Sequence, residues 1–184
     1  MNKNLIELCN FTKYLAKKGL ISGSEGNLSI RDKYGFWITP SGRIKELLKP
    51  ADLCFINWKG EVIKGNPSIE WGMHYKIYLK NHSVNAIVHT HPLYTLLLDF
   101  SGFKFKEFEF PEAEFILKEI AVMPYFQPGS EALWEFSSNL ARSYKVIILS
   151  KHGAITCGKT LEEAVNLSLI LEKISQLEYF KNRR

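Results

Sequence analysis

Nowhere in the 184 residues do about eighteen apolar side chains follow one another, so no segment reads as a membrane-crossing helix. Cysteine gives no framework either. Cys9, Cys54 and Cys157 are odd in number, far apart and never in a C-x-x-C pair, which argues against a disulfide scaffold and against a thiolate metal site. The start of the chain has no basic stretch followed by a long apolar run and a small-residue cleavage site, so the expected compartment is the reducing cytoplasm. Charge of one sign is not clustered: the net charge of +5 comes from scattered residues, apart from Lys181, Arg183 and Arg184 at the end. With no zinc-finger, RNP-like or helix-turn-helix spacing, that distribution argues against nucleic acid as a partner, and the lack of apolar runs argues against a membrane.

What is present is an ordinary globular composition, 46% hydrophobic and 23% charged, in a length suited to one domain spanning residues 1–184. Leu5, Ile6, Leu8, Cys9, Tyr14 and Leu15 recur at helical spacing up to Lys17-Lys18-Gly19, which predicts a first helix. Residues 27–31, 35–39 and 53–58 are short alternating or apolar runs separated by turn-forming residues, and read as antiparallel strands. A helix is expected from Ser68 to about Lys80, a strand through Ala86-Ile87-Val88-His89, and a helix opening at Pro92. The aromatic and charged residues of Phe103 to Phe110 alternate, which predicts an exposed edge strand or hairpin stopped by Pro111. A helix from Ser130 to Ala141, strands at 146–149 and 154–157, and a last helix opened by a Thr160/Glu163 capping box complete the pattern. The mixture predicts an α/β fold with a central, mainly antiparallel sheet and helices on both faces.

His89-Thr90-His91 sits at the end of an apolar strand. Residues two apart on a strand point to the same side, so the two imidazoles are placed to grip one ion. His152 follows a second apolar strand and precedes Gly153, so it joins them if the strands are neighbours in one sheet. His74 and His82 read instead as ordinary buried or surface residues. Glu70, at a helix start after Pro67 and Ser68, is suited to ligate a cation, to act as a base, or simply to interact with its own helix dipole. The turns at 22–27 and 39–42 carry backbone N–H groups, hydroxyls and an amide of the kind that cradle phosphate, although such turns are usually only turns.

These pieces occur in a distinctive order: S-G-S-E-G-N-L-S-I-R, I-T-P-S-G, N-P-S-I-E-W, A-I-V-H-T-H-P, M-P-Y-F-Q-P-G-S and L-S-K-H-G-A-I-T-C-G-K-T-L-E-E-A. In this the chain resembles the class II aldolase/adducin family over roughly residues 5 to 180. The resemblance implies that His89, His91 and His152 bind a divalent metal, zinc or alternatively manganese or cobalt, and that Glu70 is both a metal ligand and the catalytic acid/base. It implies further that Gly26, Asn27, Ser41, Gly42 and Ser68 bind the phosphate of a small phosphorylated sugar, and that the protein is a homotetramer with interfacial active sites. The implied activity is retro-aldol cleavage of a ketose 1-phosphate to dihydroxyacetone phosphate and an aldehyde. A sugar-phosphate 4-epimerase or methylthioribulose-phosphate dehydratase using the same site, or a non-catalytic adducin-like assembly module, are the alternatives. Two departures stand out. Ile69 replaces a hydroxyl residue before Glu70, and no tyrosine lies between Tyr94 and Tyr125, where the aldolases supply one. Glu112 or Glu114 is the acidic residue available in that region, unless each is only part of a solvated helix face.

Overall fold

Successive side chains of a strand point to opposite faces, and in the middle of this sheet both faces are apolar. A computed structural model describes residues 3–181. Its eight strands are β1 (Asn27–Asp32), β2 (Gly35–Ile38), β3 (Cys54–Asn57), β4 (Val62–Lys64), β5 (Ala86–Thr90), β6 (Ile120–Met123), β7 (Val146–Leu149) and β8 (Gly153–Gly158). They form one sheet in the order β4-β3-β2-β1-β5-β8-β7-β6, antiparallel throughout except for the parallel pair β6 and β7. The central strands β5, β7 and β8 are buried along their whole length.

The alternation sorts the helices into two layers. Ile87, Ile147, Leu149, Ile155 and Cys157 pack with Met73, Ile77 and Leu133 of α2 (Trp71–Lys80) and α4 (Glu131–Leu140). On the opposite face Leu28, Ala86 and Val88 meet α1 (Lys3–Lys17) and the start of α5 (Leu161–Lys181). Val146, Ile148 and Ala154 meet Leu98 of α3 (Leu93–Phe100) and the middle of α5. The expected α/β architecture, with a mainly antiparallel sheet between two helical layers, is what the chain adopts.

The start signals act close to where they were read. Ser130 Oγ accepts a hydrogen bond from the Leu133 N–H at 3.2 Å, and Thr160 Oγ1 accepts one from the Glu163 N–H at 3.1 Å. The Glu163 carboxylate reaches back to the Lys159 N–H at 2.7 Å. Pro92 is the N-cap of α3, one residue outside the first turn.

One segment is not the strand that alternation predicts. Phe103 to Phe110 forms turns with a short 3-10 stretch at Phe105–Glu107. The rings of Phe103, Phe105 and Phe108 pack against one another, edge to face or tilted, with centroids 5.3–5.8 Å apart, and Phe105 is buried. Alternating aromatic residues serve here to close a ring cluster over the α3/α5 layer, with no neighbouring strand to pair with. Strands β4 and β6, at the two sheet edges, are additions that the sequence pattern did not suggest. Cys9, Cys54 and Cys157 are buried and free. Lys181 pairs with Glu109 at 2.6 Å, while Arg183 and Arg184 lie outside the described residues.

Candidate active site

The three strands at the centre of the sheet deliver the histidines. Asn27 of β1 is paired with His89 of β5 and His89 in turn with Ile155 of β8, so Asn27, His89 and the residues entering β8 meet at one end of the sheet. His91 leaves β5 and donates its backbone N–H to Leu20 O at 3.1 Å. His152 sits in the tight turn from β7 to β8, its N–H donating to Leu149 O at 3.0 Å. That turn is strained: Lys151 adopts a left-handed φ of 61°, unusual for a side chain with a Cβ. Asp99 of α3 secures it, accepting from Ser150 Oγ at 3.0 Å and from the Lys151 N–H at 2.8 Å.

Close approach needs glycine at two points. A Cβ on Gly153 would stand 2.4 Å from Thr90 O, 2.9 Å from His91 Cδ2 and 3.1 Å from His89 Cε1. A Cβ on Gly26 would stand 2.9 Å from His89 O, and its φ of 65° is itself one that glycine favours. The result is that ligand atoms of His89, His91 and His152 lie within 4.8 Å of one another.

Glu70 completes the cluster. It is the N-cap of α2, not a first-turn residue, and its carboxylate makes no capping bond but turns to the histidines. Oε2 lies 3.1 Å from His89 Nε2 and Oε1 lies 3.3 Å from His152 Nε2. Asn27 Nδ2 donates to Oε2 at 2.9 Å and to Ser68 Oγ at 3.0 Å. Burial would raise the Glu70 carboxyl, but the charge and hydrogen bond of His89, the charge of His152 and the Asn27 amide outweigh it and hold the group well below the usual carboxylate range. Burial likewise opposes charge on His89, yet Glu70 outweighs it and raises the imidazole. Burial and the neighbouring His89 charge lower His91 and bring His152 down to about 4.

The donor set fits a divalent cation. His89 Nδ1 donates to Ala154 O at 3.0 Å and His91 Nδ1 to Glu25 Oε2 at 3.2 Å, which leaves each Nε2 as the inward lone pair. Those two Nε2 atoms are 3.1 Å apart. Glu70 Oε1 is buried without a hydrogen-bond donor. Converging lone pairs and a carboxylate oxygen without a proton partner are stabilised by a cation, and a proton held between His89 and Glu70 is what it displaces.

The remaining expected residues gather beside this cluster. Ser68 is buried, its N–H donating to Thr39 O at 3.3 Å. The 39–42 loop lies against residues 66–68, with Pro40 bridged to Pro67 and the Ser41 N–H donating to Asn66 O at 3.0 Å. Gly42, with φ of 64°, has open space where a side chain would be. Ile69 is 61% exposed and lies against Gly129, offering no donor. Glu112 pairs with Lys173 of α5 at 3.8 Å and Glu114 is exposed, so within this chain neither is brought to the histidines.

Two participants, Glu25 and Lys45, escaped the sequence pattern, and so did the partner of a third residue. Glu25 orients His91, and is itself held by the Ser22 N–H at 2.8 Å on Oε1. Metal-binding histidines commonly donate their second N–H to a carboxylate, which signals that such a partner exists but not which residue it is. Lys45, 1% exposed, donates from Nζ to Ser24 O at 2.8 Å, Pro40 O at 3.1 Å and Arg43 O at 3.3 Å, tying the 22–27 turn to the 39–42 turn. His74 is satisfied and buried, as expected, but its partner is Asn27, with Nε2 2.6 Å from Oδ1.

Known proteins carry the same architecture. Residues 6–179 match the family described as the class II aldolase and adducin N-terminal domain. The L-fuculose phosphate aldolase of Methanococcus maripaludis strain C7 is 40% identical, over 97% of this chain and 96% of that protein. The 5-methylthioribulose-1-phosphate/5-deoxyribulose-1-phosphate aldolase of Rhodospirillum rubrum is 32% identical over 92% of this chain and 77% of that one. The crystal structure of L-fuculose-1-phosphate aldolase from Thermus thermophilus superposes with a TM-score of 0.85 at 28% identity, covering 95% of this chain and 92% of that one. With its histidine cluster at the end of a matching sheet, the chain belongs to the class II aldolase and adducin family, whose aldolases are metal-dependent lyases.

Proposed function

We propose that the protein is a zinc-dependent lyase that cleaves a small ketose 1-phosphate by retro-aldol chemistry, releasing dihydroxyacetone phosphate and an aldehyde. The observation that carries this reading is the convergence of three imidazoles beside a buried carboxylate with an unbonded oxygen. The similar proteins named for fuculose phosphate and for methylthioribulose 1-phosphate act on phosphorylated ketoses, which supports that substrate class.

His89, His91, His152 and Glu70 hold the cation; three imidazoles with a carboxylate suit zinc, and manganese or cobalt accept the same ligands. A bound divalent ion supplies Lewis acidity, lowering the cost of negative charge that develops at the substrate carbonyl oxygen. The chain's own groups do the rest. Breaking the C3–C4 bond takes a proton from the C4 hydroxyl and leaves an electron pair for C3. Glu70, ionised at rest and freed from the ion once the substrate has taken its place, carries the proton and returns one to C3, which completes dihydroxyacetone phosphate. The Ser41 and Ser68 hydroxyls and the backbone N–H groups of Gly26 and Gly42 receive the phosphate oxygens, while Asn27, whose amide hydrogens go to Glu70 and Ser68, serves the phosphate side by holding the Ser68 hydroxyl in place. The Lys45 ammonium beneath both turns adds positive potential there.

The same reading places the enzyme in the cytoplasm, consistent with three unpaired thiols, and in a homotetramer with active sites at subunit interfaces. Exposed Phe100, Phe115 and Tyr125 are the kind of apolar surface that subunit contacts cover. Zinc-loaded protein should release dihydroxyacetone phosphate from at least one of fuculose 1-phosphate, ribulose 1-phosphate and methylthioribulose 1-phosphate, and Glu70→Gln should abolish release while retaining metal. No product from any of them, with metal bound, would overturn the aldolase reading.

A further inference from the structure

Behind Glu70 runs a buried polar chain that never reaches solvent. His74 Nε2 lies 2.6 Å from Asn27 Oδ1, His74 Nδ1 lies 2.6 Å from Ser29 Oγ, and Ser29 Oγ lies 2.7 Å from the Tyr78 hydroxyl. Ser29, His74 and Tyr78 are fully buried against Met73, Ile77, Ile87 and Phe36. Burial, with the nearby His89 charge, brings the His74 imidazolium down to about 3, so the ring is neutral and has one donor nitrogen and one acceptor.

Chemistry then gives the chain a direction. Asn27 Nδ2 spends its two hydrogens on Glu70 Oε2 and Ser68 Oγ, so the atom facing His74 is Oδ1, which can only accept. His74 therefore carries its proton on Nε2. Its Nδ1 accepts from the Ser29 hydroxyl, and Ser29 Oγ accepts from Tyr78. A flipped Asn27 would set Oδ1 against the ionised Glu70 with no proton between them, and would leave Ser68 without its donor.

We propose that His74 is a positioning residue: its Nε2–H tautomer, set by Ser29 and Tyr78, locks the Asn27 amide so that one group holds both the proton-transferring carboxylate and the phosphate-side serine in register. This rests on the roles given to Glu70 and Ser68 above. A polar trio inside an apolar layer is an expensive way to fill space, whereas it is the direct way to fix an amide that otherwise has two orientations.

The test uses full-length, zinc-loaded protein with Ser29→Ala, His74→Gln and His74→Leu. Imidazole ¹⁵N shifts of the wild type should report the Nε2–H tautomer of His74, and Ser29→Ala should mix the two tautomers. His74→Leu should keep its zinc and lower kcat roughly ten- to hundredfold, the loss expected when a hydrogen bond to a charged group is misdirected. His74→Gln, whose amide N–H can take the place of Nε2–H, should recover most of it. An Nδ1–H tautomer in the wild type would overturn the inference, as would Ser29→Ala and His74→Gln variants that melt like wild type yet show, respectively, full kcat and no recovery. Should the wild type cleave no ketose phosphate, the functional reading fails by itself, and the tautomer measurement still decides this one.

Discussion

Removing the Glu25 carboxylate should weaken metal binding without touching a metal ligand. Its Oε2 accepts from His91 Nδ1 at 3.2 Å while Oε1 is pinned by the Ser22 N–H, so the carboxylate fixes both the tautomer and the ring plane of His91. Loss of such an outer partner lowers metal affinity by about 10–100-fold, or ~1.4–2.7 kcal/mol. Here the bond is long and the Glu25 side chain 36% exposed, so water competes for the same N–H and the low end applies, about tenfold for Glu25→Ala. Glu25→Gln keeps an acceptor oxygen but loses the charge. Charge assistance accounts for about half of such a bond, which leaves a loss of about threefold. The assay is competition for zinc against a chromophoric chelator near neutral pH, with thermal melts of the metal-free proteins as a control on folding. Affinity of Glu25→Ala within about twofold of wild type would refute the argument that an oriented His91 matters to the site.

Two further outcomes follow from the same geometry. Gly153→Ala pushes a methyl group into Thr90 O and the rings of His89 and His91, so it should destabilise the fold by about 1–3 kcal/mol in urea titrations and drop zinc below one per chain by elemental analysis. Lys45 makes a pH prediction: burial brings its ammonium from the ordinary 10.5 down to about 8, so between those values the unfolded chain binds more protons than the folded one and stability rises with pH. Relative to Lys45→Met, the wild type should therefore gain up to ~1.4 kcal/mol per pH unit above about pH 8, and a flat difference between the two proteins would show that the charge is not buried in solution.

How legible the site was depended on whether a residue's role is written locally. His89 and His91 share one face of one strand, so their spacing alone implied convergence, and His152 entered through the H-G motif after a second apolar strand. Glu70 was visible only as a helix-start acid; that its side chain abandons the helix for the histidines is a tertiary fact, carried in advance by the family resemblance. Glu25 has no periodic signal, because a glutamate in a turn of small residues looks solvated. His74 was read correctly as satisfied, but its partners Ser29 and Asn27 are 45 and 47 residues away, and nothing local names them. The Phe103–Phe110 segment misled for a physical reason: alternation reports one-sided burial, and a packed ring cluster produces it as readily as a strand does. Edge strand β4 is exposed at all three of its residues, so no alternation of burial could mark it.

The ionisable groups show why this end of the sheet reads as a site. Elsewhere among the described residues the layers are filled mainly by aliphatic side chains on β5, β7 and β8, with Thr156 and the α5 residues Ser168, Ser175 and Glu178 as buried polar exceptions. Beside the ends of those same strands and their neighbour β1, Glu70, His74, His89, His152 and Lys45 are withdrawn from water, the first four around Asn27 and the Glu70 carboxylate and Lys45 between the two turns. Burial opposes the charge on each of them. Left to packing alone, such groups would be replaced by apolar ones at no loss of stability. On the proposed function their presence has a reason: the imidazoles and Glu70 serve a cation, while Asn27, Ser68 and the turns tied by Lys45 serve the phosphate of the substrate. The Asn27 amide is the one group that touches both sides. A substrate with a metal-chelating ketose head and a phosphate tail is the kind of molecule that uses both ends at once, and the Asn27 bridge fixes the distance between them before it arrives.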